Sequence, residues 1–143
     1  MPGPRTAEGK AEPMSFSEDE VAFMASQPLA RVATVDDGGQ PDVVPVGFEF
    51  DGTYINIGGF APETTRRHAN VLAGHNKIAV VIDDLASTQP WSPRYLRVYG
   101  IAEVVDGQRP HLRIRPTVSW SWNLGGEPLD HKSMAPPKRT VHH

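Results

Sequence analysis

Three Asp-Gly steps cut this chain into short pieces. Asp37-Gly38, Asp51-Gly52 and Asp106-Gly107 each stand between runs rich in Val, Ile and aromatic residues. Such steps favour tight reversals, because Gly tolerates positive φ and Asp bonds the backbone that follows it. A chain cut this way pairs with itself as antiparallel strands. The runs predicted as strands are 29–35, 41–50, 53–58, 76–82, 94–105 and a last one carried around Pro116 from 111 to 122. The first three read as a meander. Pro45 cannot donate to a ladder, so its strand lies at an edge or is bulged there. Residues 83–93 read as a loop holding Trp91, and Gly100 breaks the long strand that follows.

Two helices are marked. Ser17-Glu18-Asp19-Glu20 forms a capping box, with Ser17 as N-cap and Glu20 at N3. Phe16 is placed to staple against Val21, and Val21, Met24 and Ala25 share one face before Pro28 stops the helix. The second helix is expected over 62–73, with Ala69, Val71 and Leu72 inward and Gly74 at C′. Six strands, two helices and short links predict a mainly β, closed and mostly antiparallel barrel over 15–122. The Pro-, Gly- and charge-rich lead at 1–14 is expected to be disordered. Residues 123–143 lack periodicity and read as a flexible tail, or as a cover folded over a ligand.

The chemistry concentrates in Gly58-Gly59-Phe60-Ala61-Pro62-Glu63-Thr64-Thr65-Arg66-Arg67-His68-Ala69-Asn70-Val71-Leu72. A strand ends at the glycines, and a helix begins a few residues later. Two hydroxyls and two guanidiniums at that point suit a phosphate seat. The same pattern also describes an amphipathic helix with a solvated basic face. Elsewhere reactive groups are few. There is no cysteine, no G-x-S-x-G, no phosphate-binding glycine fingerprint and no histidine spacing that suits a metal, so no metal site is predicted. Any reaction must therefore draw on a cofactor. The formal net charge of −3 argues against nucleic acid and anionic membrane as partners. No apolar run is long enough to span a bilayer, and the cytoplasm is the expected compartment.

The order of these pieces resembles the split β-barrel superfamily of pyridoxamine 5′-phosphate oxidase-like proteins, and within it the actinobacterial branch that uses coenzyme F420. The resemblance is carried by 29–35, the turn at 37–41, Pro45-Val46-Gly47-Phe48, Gly58-Gly59, the run from Thr65 through Val71, 80–85, Pro90-Trp91, 98–103, Ile114-Arg115-Pro116 and Ser119-Trp120. It implies a six-stranded antiparallel split barrel and a homodimer with cofactor sites at the subunit interface. Arg66 and Arg67 match the phosphate-binding pair, Thr64 or Thr65 adds a hydroxyl, Gly59 belongs to the same set, and Asn70 sits just behind. Pro45, Val46 and Gly47 would run beside the cofactor ring through their backbone, with Thr34 on the neighbouring strand. Trp91 would reach the cofactor rim, and Trp120 and Trp122 the substrate. The function so implied is hydride transfer from reduced F420 to an electron-poor C=C of a small hydrophobic enone, quinone or polyketide. The alternatives are an FMN-dependent oxidoreductase on the same barrel, or a protein that binds flavin, F420 or haem without turnover. Each residue also has a plainer role open to it: edge protection for Pro45, a helix hydrogen bond for Asn70, and packing or dimer contact for the tryptophans.

Overall fold

The structure, a computed structural model, describes residues 15–143. The lead expected to be disordered, at 1–14, lies outside the described residues. Helix α1 (Glu18–Ser26) begins on the predicted capping box: Ser17 Oγ accepts from Glu20 N at 3.2 Å, and Glu20 Oε1 accepts from Ser17 N at 2.9 Å. Its buried face differs from expectation. Glu20, Phe23 and Met24 are covered, while Val21 and Ala25 are exposed. Phe16 packs edge-on to Phe50 at 5.2 Å and against His142 at 4.5 Å. Its partners come from distant chain, so local spacing did not reveal them.

Eight antiparallel strands form one sheet: β1 (Leu29–Val35), β2 (Pro41–Gly47), β3 (Glu49–Phe50), β4 (Ile55–Ile57), β5 (Lys77–Thr88), β6 (Trp91–Val105), β7 (His111–Trp122) and β8 (Lys138–Val141). The pairing order is β2-β1-β5-β6-β7-β4-β3, with β8 also on β7. The two ends of that path, β2 and β3, are separated in the chain by Phe48 alone. Two Cα–Cα steps reach at most about 7 Å, so the sheet must curl until its ends nearly meet. This is the expected mainly β split barrel. The core alternates along its strands, with Val32, Val80, Ile82, Leu96, Val98, Leu112 and Ile114 inside. No helix among the described residues is long and apolar enough to cross a membrane.

Four details depart from the expected layout. The first three expected strands pair in succession, but the middle one breaks at Phe48 into β2, which pairs with β1, and β3, which pairs with β4. The 53–58 strand shrinks because Asp51 Oδ1 accepts from Thr53 N and Tyr54 N and holds both in a turn. Residues 83–88 and 91–93 belong to a long β5–β6 hairpin rather than a loop. There Asp83 pairs with Arg31 of β1, and Asp84 meets Arg94 Nε at 2.6 Å, so neighbouring strands neutralise both carboxylates. Finally, the segment after Trp122, read as a flexible tail, carries β8. It is fastened by Val118↔Val141 to Ser121↔Lys138, by Trp122 Nε1 donating to Ala135 O at 3.0 Å, and by Leu129 N donating to Trp91 O at 2.8 Å.

Candidate functional site

The seat predicted at 58–72 resolves into a loop, a single 3-10 turn (Pro62–Thr64) and helix α2 (Arg66–Leu72). The α-helix starts later than expected because Thr65, in extended conformation, is its N-cap. Thr65 Oγ1 accepts from His68 N at 3.2 Å and donates to Pro62 O at 2.7 Å. Thr64 Oγ1 donates to Ala61 O at 2.8 Å. Both hydroxyl protons thus serve the loop's own carbonyls. The loop itself turns through positive φ at Gly59 (115°) and Ala61 (54°). On α2 the buried residues are His68, Asn70 and Val71, whereas Ala69 and Leu72, expected inward, are exposed. Asn70 Nδ2 reaches β1, where it donates to the buried Thr34 Oγ1.

The two arginines differ. Arg66 is exposed beside a cleft of about 420 Å³ that it shares with Asp36, Asp42 and Asn70. Arg67 is half-buried, its Nη2 3.5 Å from Gly58 O. Burial lowers the Arg67 pKa, and the Asp42 charge opposes that shift. Among the described residues neither guanidinium makes an ion pair. A partly desolvated guanidinium that makes no ion pair is a donor set that fits a phosphate.

A second cleft, of about 940 Å³, is lined in part by Gly58 and Gly59. Gly47, Phe48, Glu49, Asn56, Arg109 and His111 are among its walls. The smaller cleft takes in Pro41 and Asp42 at the start of β2, and the larger takes in Gly47 at its end. Both therefore border the free-edge strand, whose outer backbone groups no strand occupies. Pro45 and Gly47 are exposed there, while Val46 is buried.

Within one chain the tryptophans stand apart from this region. Trp91 lies at the β5–β6 hairpin end, 52% exposed. Trp120 sits edge-on to Tyr99 at 4.9 Å, with the Arg97 guanidinium 4.3 Å above its ring. Trp122 walls a separate cavity of about 550 Å³ with residues 127–136. Phe60, Arg109 and His111 line the larger cleft but were not singled out from the sequence. Phe60 lies inside the 58–72 stretch, while Arg109 and His111 belong to no motif and come to the cleft only through the fold.

A curled antiparallel sheet whose two path ends nearly meet defines a split β-barrel. Residues 16–141 match the pyridoxamine 5′-phosphate oxidase family, and the chain belongs to it. It is similar to a 5a,11a-dehydrotetracycline/5a,11a-dehydrooxytetracycline reductase of Streptomyces rimosus, 32% identical over 126 residues covering 80% of this chain and 87% of that protein. Among solved structures it resembles a conserved hypothetical protein of Mycobacterium tuberculosis (18% identity, TM-score 0.65, 93% of this chain and 98% of the other). It also resembles an F420 reductase (22% identity, TM-score 0.53, 65% and 90%). These two likenesses carry the fold.

Proposed function

We propose that the protein is an F420-dependent oxidoreductase that saturates an electron-poor C=C in a small, flat, apolar substrate of the enone or polyketide type. The observation that carries the reading is the half-buried Arg67 without a carboxylate partner beside the free edge of β2. The relative named as a dehydrotetracycline reductase supports reduction of a polycyclic enone, and the structure named as an F420 reductase supports the cofactor. When bound, the reduced deazaflavin supplies a hydride.

The chain's own residues do the rest. Arg67 and Arg66 hold the phosphate by charge. The Thr65 cap and the Asn70–Thr34 bond hold the helix that presents them. The backbone of Pro45, Val46 and Gly47 offers main-chain groups to a ring lying along the edge. The larger cleft beyond Gly59 receives the acceptor, and Arg109 stands on its wall to meet negative charge developing on a carbonyl oxygen. We also propose a homodimer. The exposed Tyr99, with Arg97 and the partly exposed Trp120 beside it, forms an aromatic plate suited to a second copy.

Parallel titration with F420 and FMN, read by tryptophan quenching and cofactor absorbance, tests the assignment. Tight F420 with weak FMN binding is expected. FMN preference would move the protein to the FMN-dependent alternative, and binding of neither would remove the reading.

A further inference from the structure

We propose that His111 is the acid that returns a proton to the substrate, an inference that rests on the reading of the site just given. His111 opens β7 and lines the larger cleft with Gly58, Gly59 and Gly47, the last of these at the end of the edge along which the ring is proposed to lie. Its Nδ1 lies 2.9 Å from the Arg109 carbonyl oxygen. A carbonyl oxygen can only accept, so Nδ1 carries a hydrogen in either protonation state. The neutral ring then keeps its lone pair on Nε2, and the charged ring has its transferable hydrogen there. No hydrogen bond occupies Nε2 among the described residues. The contact with Arg109 also holds the ring in one orientation. The charged groups around the cleft are Glu49 from β3, Glu63 from the 3-10 turn and Arg109 from the loop before β7. None of the three has an ion-pair partner among the described residues.

Saturating a conjugated C=C requires a hydride at one carbon and a proton at the other. The hydride arrives with both electrons from the reduced deazaflavin. The π electrons of the C=C shift onto the activating carbonyl, giving an enolate next to Arg109. The Nε2–H bond of His111 then breaks, an O–H or C–H bond forms on the substrate, and the ring regains a proton from water. Hydride and proton together account for the two hydrogens added.

The test uses the full chain with reduced F420 and two acceptors, 5a,11a-dehydrotetracycline and 2-cyclohexen-1-one. His111→Gln should lower kcat about 100-fold and abolish the fall of kcat with rising pH, while F420 affinity stays unchanged. In His111→Ala, added imidazole should restore part of the rate. In the protein without added cofactor, nitrogen NMR of the neutral His111 ring should show the Nδ1–H tautomer. Unchanged kcat and pH profile in His111→Gln, or an Nε2–H tautomer, overturns the role of His111 alone. Native protein that binds no F420 and reduces neither acceptor overturns the reading of the site, and this inference with it.

Discussion

Asn70 Nδ2 donates to Thr34 Oγ1 at 2.9 Å, a buried bond that joins α2 to β1 across 36 positions of chain. It fixes how α2 presents Arg66 and Arg67. Asn70→Ala strands the Thr34 hydroxyl in a buried place, at a cost of about 1–3 kcal/mol. Urea unfolding should show that loss, and cofactor affinity should fall with it. Thr34→Val/Asn70→Leu should be milder, since neither polar group is then left alone.

Arg67 should matter more than Arg66. A charge-assisted hydrogen bond contributes about 1.5–3 kcal/mol, and it contributes more where water is excluded. Arg67→Ala should therefore weaken F420 binding roughly tenfold to a hundredfold by that same range. Arg66→Ala, at an exposed position, should weaken it less. Calorimetric titration of both variants checks the ranking, and equal affinities for native protein and Arg67→Ala would remove the proposed phosphate contact.

Gly100 is required by close approach. A Cβ there would lie 2.7 Å from Ile114 Cγ2 and 2.8 Å from Arg115 O, where β6 shifts register against β7. Gly100→Ala should destabilise by about 1–3 kcal/mol, as overpacking does, and lower Tm in a thermal scan.

Acid should loosen the β5–β6 hairpin through Asp84. Its carboxylate accepts from Arg94 at 2.6 and 3.0 Å and from Gln27 Nε2 at 2.7 Å. Arg94 foremost, with Gln27, holds the Asp84 pKa below its ordinary 3.8 against the opposing effect of burial. The folded state thus binds the proton less readily than the unfolded chain. Its contribution is complete above the ordinary value and is lost as pH falls through the folded one. Asp84→Asn should lower stability near neutral pH and flatten the acid limb of a stability–pH curve.

β8 should undock earlier than the rest of the sheet on acidification. His142 N donates to Thr117 O at 3.0 Å, and its Nε2 lies 2.8 Å from Ser119 Oγ. Burial lowers the His142 pKa from 6.5, with Glu20 opposing and His143 adding to the shift. A depressed histidine stabilises the docked strand above its unfolded value, and this is lost as pH falls through the folded one. Hydrogen exchange from about pH 7 to about pH 5 should therefore show relative loss of protection in β8 but not in β5–β6. His142→Phe should remove that difference.

Much of this was legible in the sequence. Strand 29–35 emerged with its expected bounds, and the Ser17–Glu20 box and the Gly74 stop follow from local hydrogen bonding. The arginine pair could be named as a candidate seat because a strand-to-helix corner announces itself in glycines and a cap. What escaped depends on partners far along the chain. Asp83 and Asp84 look like loop residues until Arg31 and Arg94 stand opposite them. Phe16 looks like a staple until β8 brings His142 to its face. His111 carries no motif, and its interest lies in one carbonyl that fixes its tautomer.

One edge of β7 serves two strands, β4 along its first half and β8 along its second. A version of the protein ending before Lys138 would bare the main chain from Val118 to Ser121, with Trp120 and Trp122 alongside. That is an open seam onto which another molecule's extended segment can zip. Shortening the chain there would therefore move the sheet's free edge from the short β8 onto the tryptophan-bearing half of β7, although every residue of the proposed cofactor seat would still be encoded.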